Sequence, residues 1–258
     1  MTQTWPVRQL GEVLENRRWW RHSEPFPHVV ARDVLRAPVY LELVQGFREL
    51  LGPDGGAGYL PAHDIHGRTL SPDYEGPLRL FASRPWHDML AGLLNVQATG
   101  HVNCGLHHHL VGSASGFPHN DLNPGWFPAA AGGDGIQLAA PAQCEYTSGR
   151  LSSPSGHPAV ETVRAVAVIY YLDNPPWSPG DGGVTGLYRN ASDPADQPAA
   201  VVPPLNNSLL AFECTPFSFH GFISNQRHPR NSVVLWLHRP RQDVVRRWGE
   251  HAIVGYKR

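Results

Sequence analysis

The chain has 258 residues, of which 41% are hydrophobic and 17% are charged, and its formal net charge is −1 at pH 7. This length allows one large domain or two small ones around a sizeable core. A near-neutral chain with scattered basic residues is not typical of a nucleic-acid binder. No segment approaches the roughly 20 apolar residues that cross a bilayer. We therefore expect neither nucleic acid nor a membrane as a partner.

The three cysteines are Cys104, Cys144 and Cys214. They are too few and too widely spaced for a disulfide framework or a cysteine-based zinc site, so we predict buried thiols. The N-terminal segment lacks a long apolar run, which argues against a signal peptide. Together these features favour a reducing, cytoplasmic setting. The 15 histidines are numerous, and they indicate either metal chemistry or polar side chains without a special role.

The predicted elements begin with a helix over residues 33–51, where apolar residues recur with helical spacing, although Pro38 delays its start. Residues 52–84 read as loop with at most a short strand, and residues 86–97 as a second helix. Short β-branched and aromatic runs then predict strands. These strands cover residues 101–111, 164–172, 184–188, 208–213, 217–223 and 232–238.

Short strands separated by Gly/Pro turns predict an all-β sandwich or barrel core with helices outside it. The predicted organisation is a single domain over residues 1–258. It comprises a helical N-terminal support at 1–100, a β core at 101–240, and a C-terminal helix and tail at 241–258, with the helix at 241–250. Residues 122–163 are rich in Pro, Gly, Ala and Ser and are predicted to form a long loop within the core.

Candidate metal ligands begin with His119 and Asp121, which flank one residue and would share a face on a strand. With the distant His220 they supply two imidazoles and one carboxylate, the ligand set of non-haem Fe(II) sites with three open positions. An ordinary polar loop is the alternative. Arg230 is suited to hold a keto acid's remote carboxylate in a bidentate pair.

On an extended strand, Ser232 and Trp236 would face the same way as Arg230, so that Ser232 could bond the same carboxylate and Trp236 could form an apolar wall near the metal. In the run His107–His109, alternation places His107 and His109 on one face and His108 on the other. A pocket lining, a second metal site and ordinary sheet histidines remain open for this run.

The motifs and their order resemble the iron(II)- and 2-oxoglutarate-dependent oxygenases, within them the prolyl 4-hydroxylase-like branch. The resemblance extends over about residues 101–238. The matching segments are PHND (118–121), AVIYYLDN (167–174), WSPGDGG (177–183), NNSLLAFE (206–213), FHGF (219–222) and RNSVVLWLH (230–238). The resemblance implies a mainly β fold with flanking helices around a double-stranded β-helix (jelly-roll) core.

The resemblance implies that His119, Asp121 and His220 bind the iron and that Arg230 anchors the distal carboxylate of 2-oxoglutarate. Tyr171 corresponds to a tyrosine that prolyl-hydroxylase-like members use on this carboxylate, although Tyr170 is the alternative inward-facing ring.

Two further co-substrate contacts follow less directly. Ser232 completes an Arg-x-Ser pair that another branch uses. His109 stands where prolyl hydroxylases often carry a tyrosine, which leaves open whether it contacts 2-oxoglutarate, the substrate or neither.

The implied activity is oxidation of an unactivated C–H bond with Fe(II), 2-oxoglutarate and O₂, which produces succinate and CO₂, with ascorbate as the reductant. Halogenating members replace the carboxylate ligand by Gly or Ala. Because Asp121 is retained, the resemblance favours hydroxylation, desaturation, epoxidation or ring closure.

The substrate is expected to be a free amino acid or a small natural-product intermediate, because the long loop suggests a lid over an enclosed site. A peptide or protein prolyl-type hydroxylase and a non-catalytic cupin-like metal binder are the alternatives. The orientation of Arg230 separates the last of these from an enzyme. We expect a monomer or homodimer. Candidate substrate contacts are His107, Trp126, Tyr146, Trp177 and Trp236.

Overall fold

The computed structural model describes residues 9–15, 17–52, 58–60, 64–129, 135–152 and 158–256. Four α-helices lie in these ranges: α1 (Leu10–Val13), α2 (Ala37–Leu51), α3 (Arg84–Leu93) and α4 (Arg241–Trp248). The strands are β1 (Trp19–His22), β2 (His28–Ala31), β3 (Gly58–Leu60), β4 (Ile65–Thr69), β5 (His101–His109), β6 (Pro124–Phe127), β7 (Gln137–Leu138), β8 (Val160–Tyr171), β9 (Thr185–Tyr188), β10 (Ala200–Val202), β11 (Ser208–Glu213), β12 (Phe219–Phe222) and β13 (Arg230–Pro240).

The strands of the described residues form two sheets. The main sheet has the order β1-β2-β11-β8-β13-β5-β4-β3, with β6 paired to β8 and β7 paired to β5. The smaller sheet has the order β10-β9-β12. The pairs are antiparallel apart from β5 with β7. Long central strands therefore come from distant parts of the chain, with β8 and β13 side by side.

Alternation along β8 and β13 gives the main sheet two buried faces. On the outer face, Tyr170 and Val233 pack in one core with the helical residues Phe47 and Leu90. On the inner face, Tyr171 and Val234 pack in a second core that includes Leu187 of the smaller sheet. Two antiparallel sheets that share an inner core form a jelly roll, which confirms the predicted fold class.

The N-terminal region differs from the helical support that the sequence predicted. Strands β1 and β2 extend the main sheet beside β11, while β4 and β3 extend the opposite edge beside β5. Each of these strands has three to five residues, and runs this short give little periodic signal. The region thus contributes four strands as well as the helices.

The predicted loop over residues 122–163 also needs correction, because it contains β6, β7 and the start of β8. Residues 130–134 and 153–157 of that prediction lie outside the described residues. In β6, a Cβ on Gly125 would lie 2.6 Å from His238 Cε1. Close packing therefore accounts for a glycine that reads as a turn signal in the sequence.

The predicted helices are present with shifted ends. The helix α2 begins at Ala37 with Pro38 in its first turn, as the fixed φ of proline favours. The helix α3 begins at Arg84 rather than at residue 86, because Ser83 acts as its N-cap. No helix among the described residues is long and apolar enough to cross a membrane. The three cysteines are buried free thiols, as predicted.

Candidate metal and co-substrate site

Backbone pairing brings the predicted metal ligands together. His119 and His220 exchange backbone hydrogen bonds of 3.0 and 2.9 Å, although they are distant in sequence. Asp121 Oδ2 lies 3.4 Å from His220 Nε2, and Asp121 Oδ1 lies 4.0 Å from His119 Nε2. One ligand atom from each of the three residues lies within 4.8 Å of the others. The structure thus gathers the His-Asp-His triad that the sequence predicted.

Both imidazoles are held by backbone carbonyls that fix their tautomer. His119 Nδ1 donates to the carbonyl of Phe117 (2.9 Å), and His220 Nδ1 donates to the carbonyl of Ser218 (3.2 Å). In the neutral imidazole, each Nε2 then carries a lone pair that can bind a metal, and it faces the carboxylate. Two imidazoles and one carboxylate on one side of a cavity suit Fe(II) and leave further coordination positions open.

Asp121 is buried, and two N–H donors hold its carboxylate. Arg164 Nη1 donates to Oδ1 (2.7 Å), and Trp236 Nε1 donates to Oδ2 (2.7 Å). Burial alone would raise the pKa of Asp121, but the positive charge of Arg164 holds the pKa well below its ordinary value. The carboxylate is therefore ionised and available as a metal ligand.

Arg164 is a site residue that the sequence reading missed. It lies in the apolar strand β8, is buried, and places Cζ 3.8 Å from the ring centroid of Trp236. Its only sequence signal is a charged residue at the start of the run RAVAVIYY. A buried arginine generally needs an anionic partner, but the sequence did not identify Asp121 as that partner.

A second polar cluster surrounds Arg230. The guanidinium is buried, and its Nη2 donates to Thr185 Oγ1 (3.1 Å). Thr185 Oγ1 also shares a hydrogen bond of 2.6 Å with Tyr171 Oη. Arg230 Cζ lies 5.1 Å from the ring centroid of Tyr171 and 5.5 Å from that of Phe222. Tyr171 therefore faces inward, and Tyr170 faces the helices.

Three buried polar atoms of this cluster have no hydrogen-bond partner within the described part of the chain. They are Arg230 Nε, Ser232 Oγ and His109 Nδ1. Arg230 and His109 are direct cross-strand partners, and Ser232 follows two residues along β13. Unpaired buried polar atoms are costly, so their grouping fits a site for a polar ligand such as the carboxylate end of a keto acid.

His109 stacks on Phe222 with ring centroids 3.7 Å apart. Burial, together with the positive charge of Arg230, lowers the pKa of His109 to about 2. The imidazole is therefore neutral at physiological pH. A neutral ring beside Arg230 leaves the guanidinium as the group that attracts an anion at this end of the site.

The triad and Arg230 line one cavity of about 1110 Å³ between the two sheets. Of the predicted substrate contacts, His107, Tyr146 and Trp236 also line it. His108 points to the other face of the sheet, where its Nδ1 lies 2.6 Å from Asn231 Oδ1. The arrangement of the histidine run thus follows the predicted alternation.

Trp126 and Trp177 lie outside the lining of this cavity. A Cβ on Gly149 would lie 2.5 Å from the Trp126 ring, so that ring packs against the backbone of a neighbouring turn. Trp177 donates its indole N–H to the carbonyl of Gly182 (2.9 Å) and borders a separate small pocket with His228. The structure does not bring these two tryptophans to the site.

Comparison with known proteins gives a family and a fold. Residues 143–238, which include His220 and Arg230, match the family model described as the 2OG-Fe(II) oxygenase superfamily. Among solved structures, a Pseudomonas putida prolyl-4-hydroxylase is similar with 15% identity and a TM-score of 0.54, over 82% of this chain and 92% of that one. A search of curated proteins gave no match.

Two further solved structures are similar. A Trichoplax adhaerens prolyl hydroxylase, in complex with a hypoxia inducible factor oxygen degradation domain peptide fragment, has 16% identity and a TM-score of 0.53, over 85% of this chain and 86% of that one. A Phytophthora capsici prolyl 4-hydroxylase has 18% identity and a TM-score of 0.50, over 86% and 65%. At these identities, the likeness to solved structures establishes the fold.

The fold, the triad and the family match define an oxygenase. Residues 143–238 are similar to the 2OG-Fe(II) oxygenase superfamily, and the chain has the fold of prolyl 4-hydroxylases. The family match and the triad together support Fe(II), 2-oxoglutarate and O₂ as cofactor and co-substrates. The non-catalytic cupin-like alternative is not supported, since Arg230 lines the same cavity as the triad.

Proposed function

We propose that this oxygenase hydroxylates an unactivated C–H bond of a small organic substrate, with iron held by His119, Asp121 and His220 and with the distal carboxylate of 2-oxoglutarate held by Arg230. The observation that carries the proposal is that the triad and Arg230 line one cavity. When bound, Fe(II) and 2-oxoglutarate supply the activation of O₂, and the co-substrate is oxidised to succinate and CO₂. The proposed reductant that keeps the iron ferrous is ascorbate.

The protein residues bind and orient. The carbonyls that accept from His119 and His220 keep each Nε2 turned towards the carboxylate. Asp121 contributes a permanent negative charge at the third ligand position. Retention of this carboxylate supports hydroxylation, desaturation, epoxidation or ring closure over halogenation.

The co-substrate end of the site discriminates by charge and hydrogen bonding. Arg230 offers its guanidinium to a carboxylate, with Nη2 oriented by Thr185 and with Nε unpaired within the described chain. Tyr171 and Ser232 supply hydroxyl groups at the same end. His109 stacks beside them as a neutral ring, so we assign it to the co-substrate rather than to the metal.

The cavity volume bears on the size of the substrate. The volume of about 1110 Å³ is slightly above the roughly 300–1,000 Å³ of sites for drug-sized ligands, and it is more than 2-oxoglutarate and a free amino acid would fill. This supports a natural-product intermediate over a free amino acid within the small-molecule proposal. His107 and Trp236 are the proposed substrate contacts, because both line the cavity. A cytoplasmic biosynthetic role, as a monomer or homodimer, belongs to the same proposal.

A prolyl-type peptide hydroxylase is the second candidate. The printed descriptions of the similar structures favour it, since all three are prolyl hydroxylases and one is bound to a peptide fragment. The cavity is also large enough for one residue of a peptide and its neighbours. The two candidates differ in what flanks the oxidised carbon. In a free amino acid it is a free carboxylate and amine, and in a peptide it is polypeptide chain on both sides.

A substrate panel separates these candidates. Purified protein is supplied with Fe(II), ascorbate, 2-oxoglutarate and O₂, and succinate is measured with free amino acids, small natural products or proline-containing peptides. Stimulation by small molecules alone supports the first candidate, and stimulation by peptides alone overturns it in favour of the second. The matched control is His119→Ala, in which substrate-dependent succinate should disappear. Substrate-dependent succinate that persists in this variant would contradict the proposed iron site.

A further inference from the structure

We propose that Arg164 and Trp236 form a clamp that fixes the carboxylate of Asp121 in the orientation required of an iron ligand. The inference rests on the proposed role of Asp121 in binding iron. It assigns both side chains as positioning residues that act through Asp121. Trp236 was predicted as an apolar wall near the metal and as a substrate contact, and Arg164 carried no predicted role.

The first observation is that each carboxylate oxygen has its own donor. Arg164 Nη1 lies 2.7 Å from Oδ1, and Trp236 Nε1 lies 2.7 Å from Oδ2. Both distances are short, as expected for hydrogen bonds to a charged acceptor. Arg164 Nη1 also donates to Asn123 Oδ1 at 3.3 Å, which is a weaker contact. The carboxylate is thus held at two points rather than one.

Two-point contact removes the rotational freedom of the carboxylate. A carboxylate oxygen has two lone-pair directions, and one donor occupies one of them. Each oxygen therefore keeps its second lone-pair direction for a metal. Oδ2 lies 3.4 Å from His220 Nε2 on the metal-binding side. Rotation about the Cβ–Cγ bond would break both hydrogen bonds together. The clamp therefore selects one carboxylate plane before a metal arrives.

The two donors behave as one unit, since they are packed against each other. The guanidinium of Arg164 lies 3.8 Å from the Trp236 ring centroid, and the two residues belong to the neighbouring strands β8 and β13. Arg164 Nε donates to Tyr146 Oη (3.1 Å), which in turn shares a hydrogen bond with His238 Nε2 (3.0 Å). This chain of hydrogen bonds holds the guanidinium through Nε, while Nη1 contacts Asp121.

A charge effect and an orientation effect on Fe(II) affinity can be separated by substituting Arg164 and Trp236. Loss of Arg164 removes a positive charge near the metal, and by Coulomb's law alone this would strengthen binding of Fe(II). Loss of the Trp236 N–H changes no charge. Trp236→Phe keeps most of the ring and removes only the donor. Weaker metal binding in Trp236→Phe therefore reports orientation, without a contribution from charge.

The test measures the Fe(II) affinity of the full chain by anaerobic titration calorimetry. Outer-sphere partners of metal ligands typically change metal affinity by about 10- to 100-fold, so Trp236→Phe and Arg164→Met should each raise the Fe(II) dissociation constant by about tenfold or more. Trp177→Phe and Arg239→Met are the matched controls. Trp177 donates its indole N–H to a backbone carbonyl away from the cavity, and Arg239 is a buried arginine paired with Glu213. Both controls should stay within about twofold of wild type.

Wild-type affinity in both clamp variants would overturn the proposal. Tighter binding in Arg164→Met with no change in Trp236→Phe would also overturn it, because charge alone would then account for the result. If Arg164→Met does not fold, which a thermal melt of the apo protein would reveal, Trp236→Phe decides. Wild-type protein that fails to bind Fe(II) would instead refute the proposed iron site, so the two failures are distinguishable.

Discussion

Arg230 and Tyr171 share one hydroxyl group. The guanidinium Nη2 of Arg230 donates to Thr185 Oγ1 at 3.1 Å, and the phenol of Tyr171 bonds the same oxygen at 2.6 Å. The three side chains come from β13, β9 and β8, so both sheets contribute to the cluster. Arg230 and Thr185 line the cavity, and the buried Tyr171 orients the Thr185 hydroxyl.

Arg230→Gln should weaken 2-oxoglutarate binding by about 100-fold, since loss of a buried charged partner typically costs 2–5 kcal/mol. Thr185→Val should weaken it by about tenfold, because it removes one neutral hydrogen-bonding group. Anaerobic calorimetry on the Fe(II)-loaded protein measures both effects. Wild-type affinity in Arg230→Gln would show that the co-substrate does not bind at this residue.

Asp121→Ala should abolish succinate formation to below about 1% of wild type, because it removes the charged member of the triad and weakens the hold on the metal. Fe(II) affinity, measured in parallel, should fall with activity. His251→Ala is the control, since His251 is an exposed histidine in the C-terminal region. An Asp121→Ala protein that retains both iron affinity and turnover would refute its role as a ligand.

The turn WSPGDGG contains two glycines whose alanine variants should differ in their free energy of unfolding. Gly182 has φ +74, and a Cβ there would lie 2.1 Å from the Ser224 carbonyl oxygen, whereas Gly180 has φ +97 and nothing within 4 Å. Gly180→Ala should cost only backbone strain, about 1 kcal/mol. Gly182→Ala adds a backbone clash and should lower the free energy of unfolding by about 3 kcal/mol in total. Urea denaturation measures the difference, and equal losses at the two positions would contradict the packing around Gly182.

The buried His109 predicts a pH dependence of stability. Its pKa is about 2 in the folded chain and 6.5 is the reference value, so the unfolded chain binds more protons between these limits. The stabilisation is fully present above about pH 6.5 and is lost as pH falls towards 2. Because His109→Phe lacks this group, wild type should lose up to about 1.4 kcal/mol per pH unit more than the variant below pH 6. Urea denaturation at pH 7 and pH 5 measures this, and parallel losses in the two proteins would place His109 in a solvated environment.

Local sequence patterns predicted part of the fold and part of the site. Alternating and β-branched runs identified β5, β8, β11 and β13, and the strand over residues 208–213 has the predicted limits. The spacing of His119 and Asp121 indicated a shared metal, and alternation along β13 indicated that Arg230 and Trp236 share a face. Each of these signals needs only the period of a strand.

The features that escaped prediction depend on tertiary contacts. Arg164 meets Asp121 only because β8 lies beside the segment that carries Asp121, and Thr185 meets Arg230 only because the smaller sheet faces the main one. The strands β1 and β2 are four residues each, and they join the sheet because β2 pairs with β11 and β1 pairs with β2. A single sequence holds no local signal for partners that are brought together across the fold.

We propose that the triad and Arg230 hold iron and 2-oxoglutarate in one cavity. Diffraction from crystals grown without O₂ in the presence of Fe(II) and 2-oxoglutarate, recorded at the iron absorption edge, locates both groups. We expect one anomalous peak bonded to His119, Asp121 and His220, with the co-substrate extending from that peak to Arg230. A peak elsewhere, or a 2-oxoglutarate molecule whose far carboxylate avoids Arg230, would contradict it.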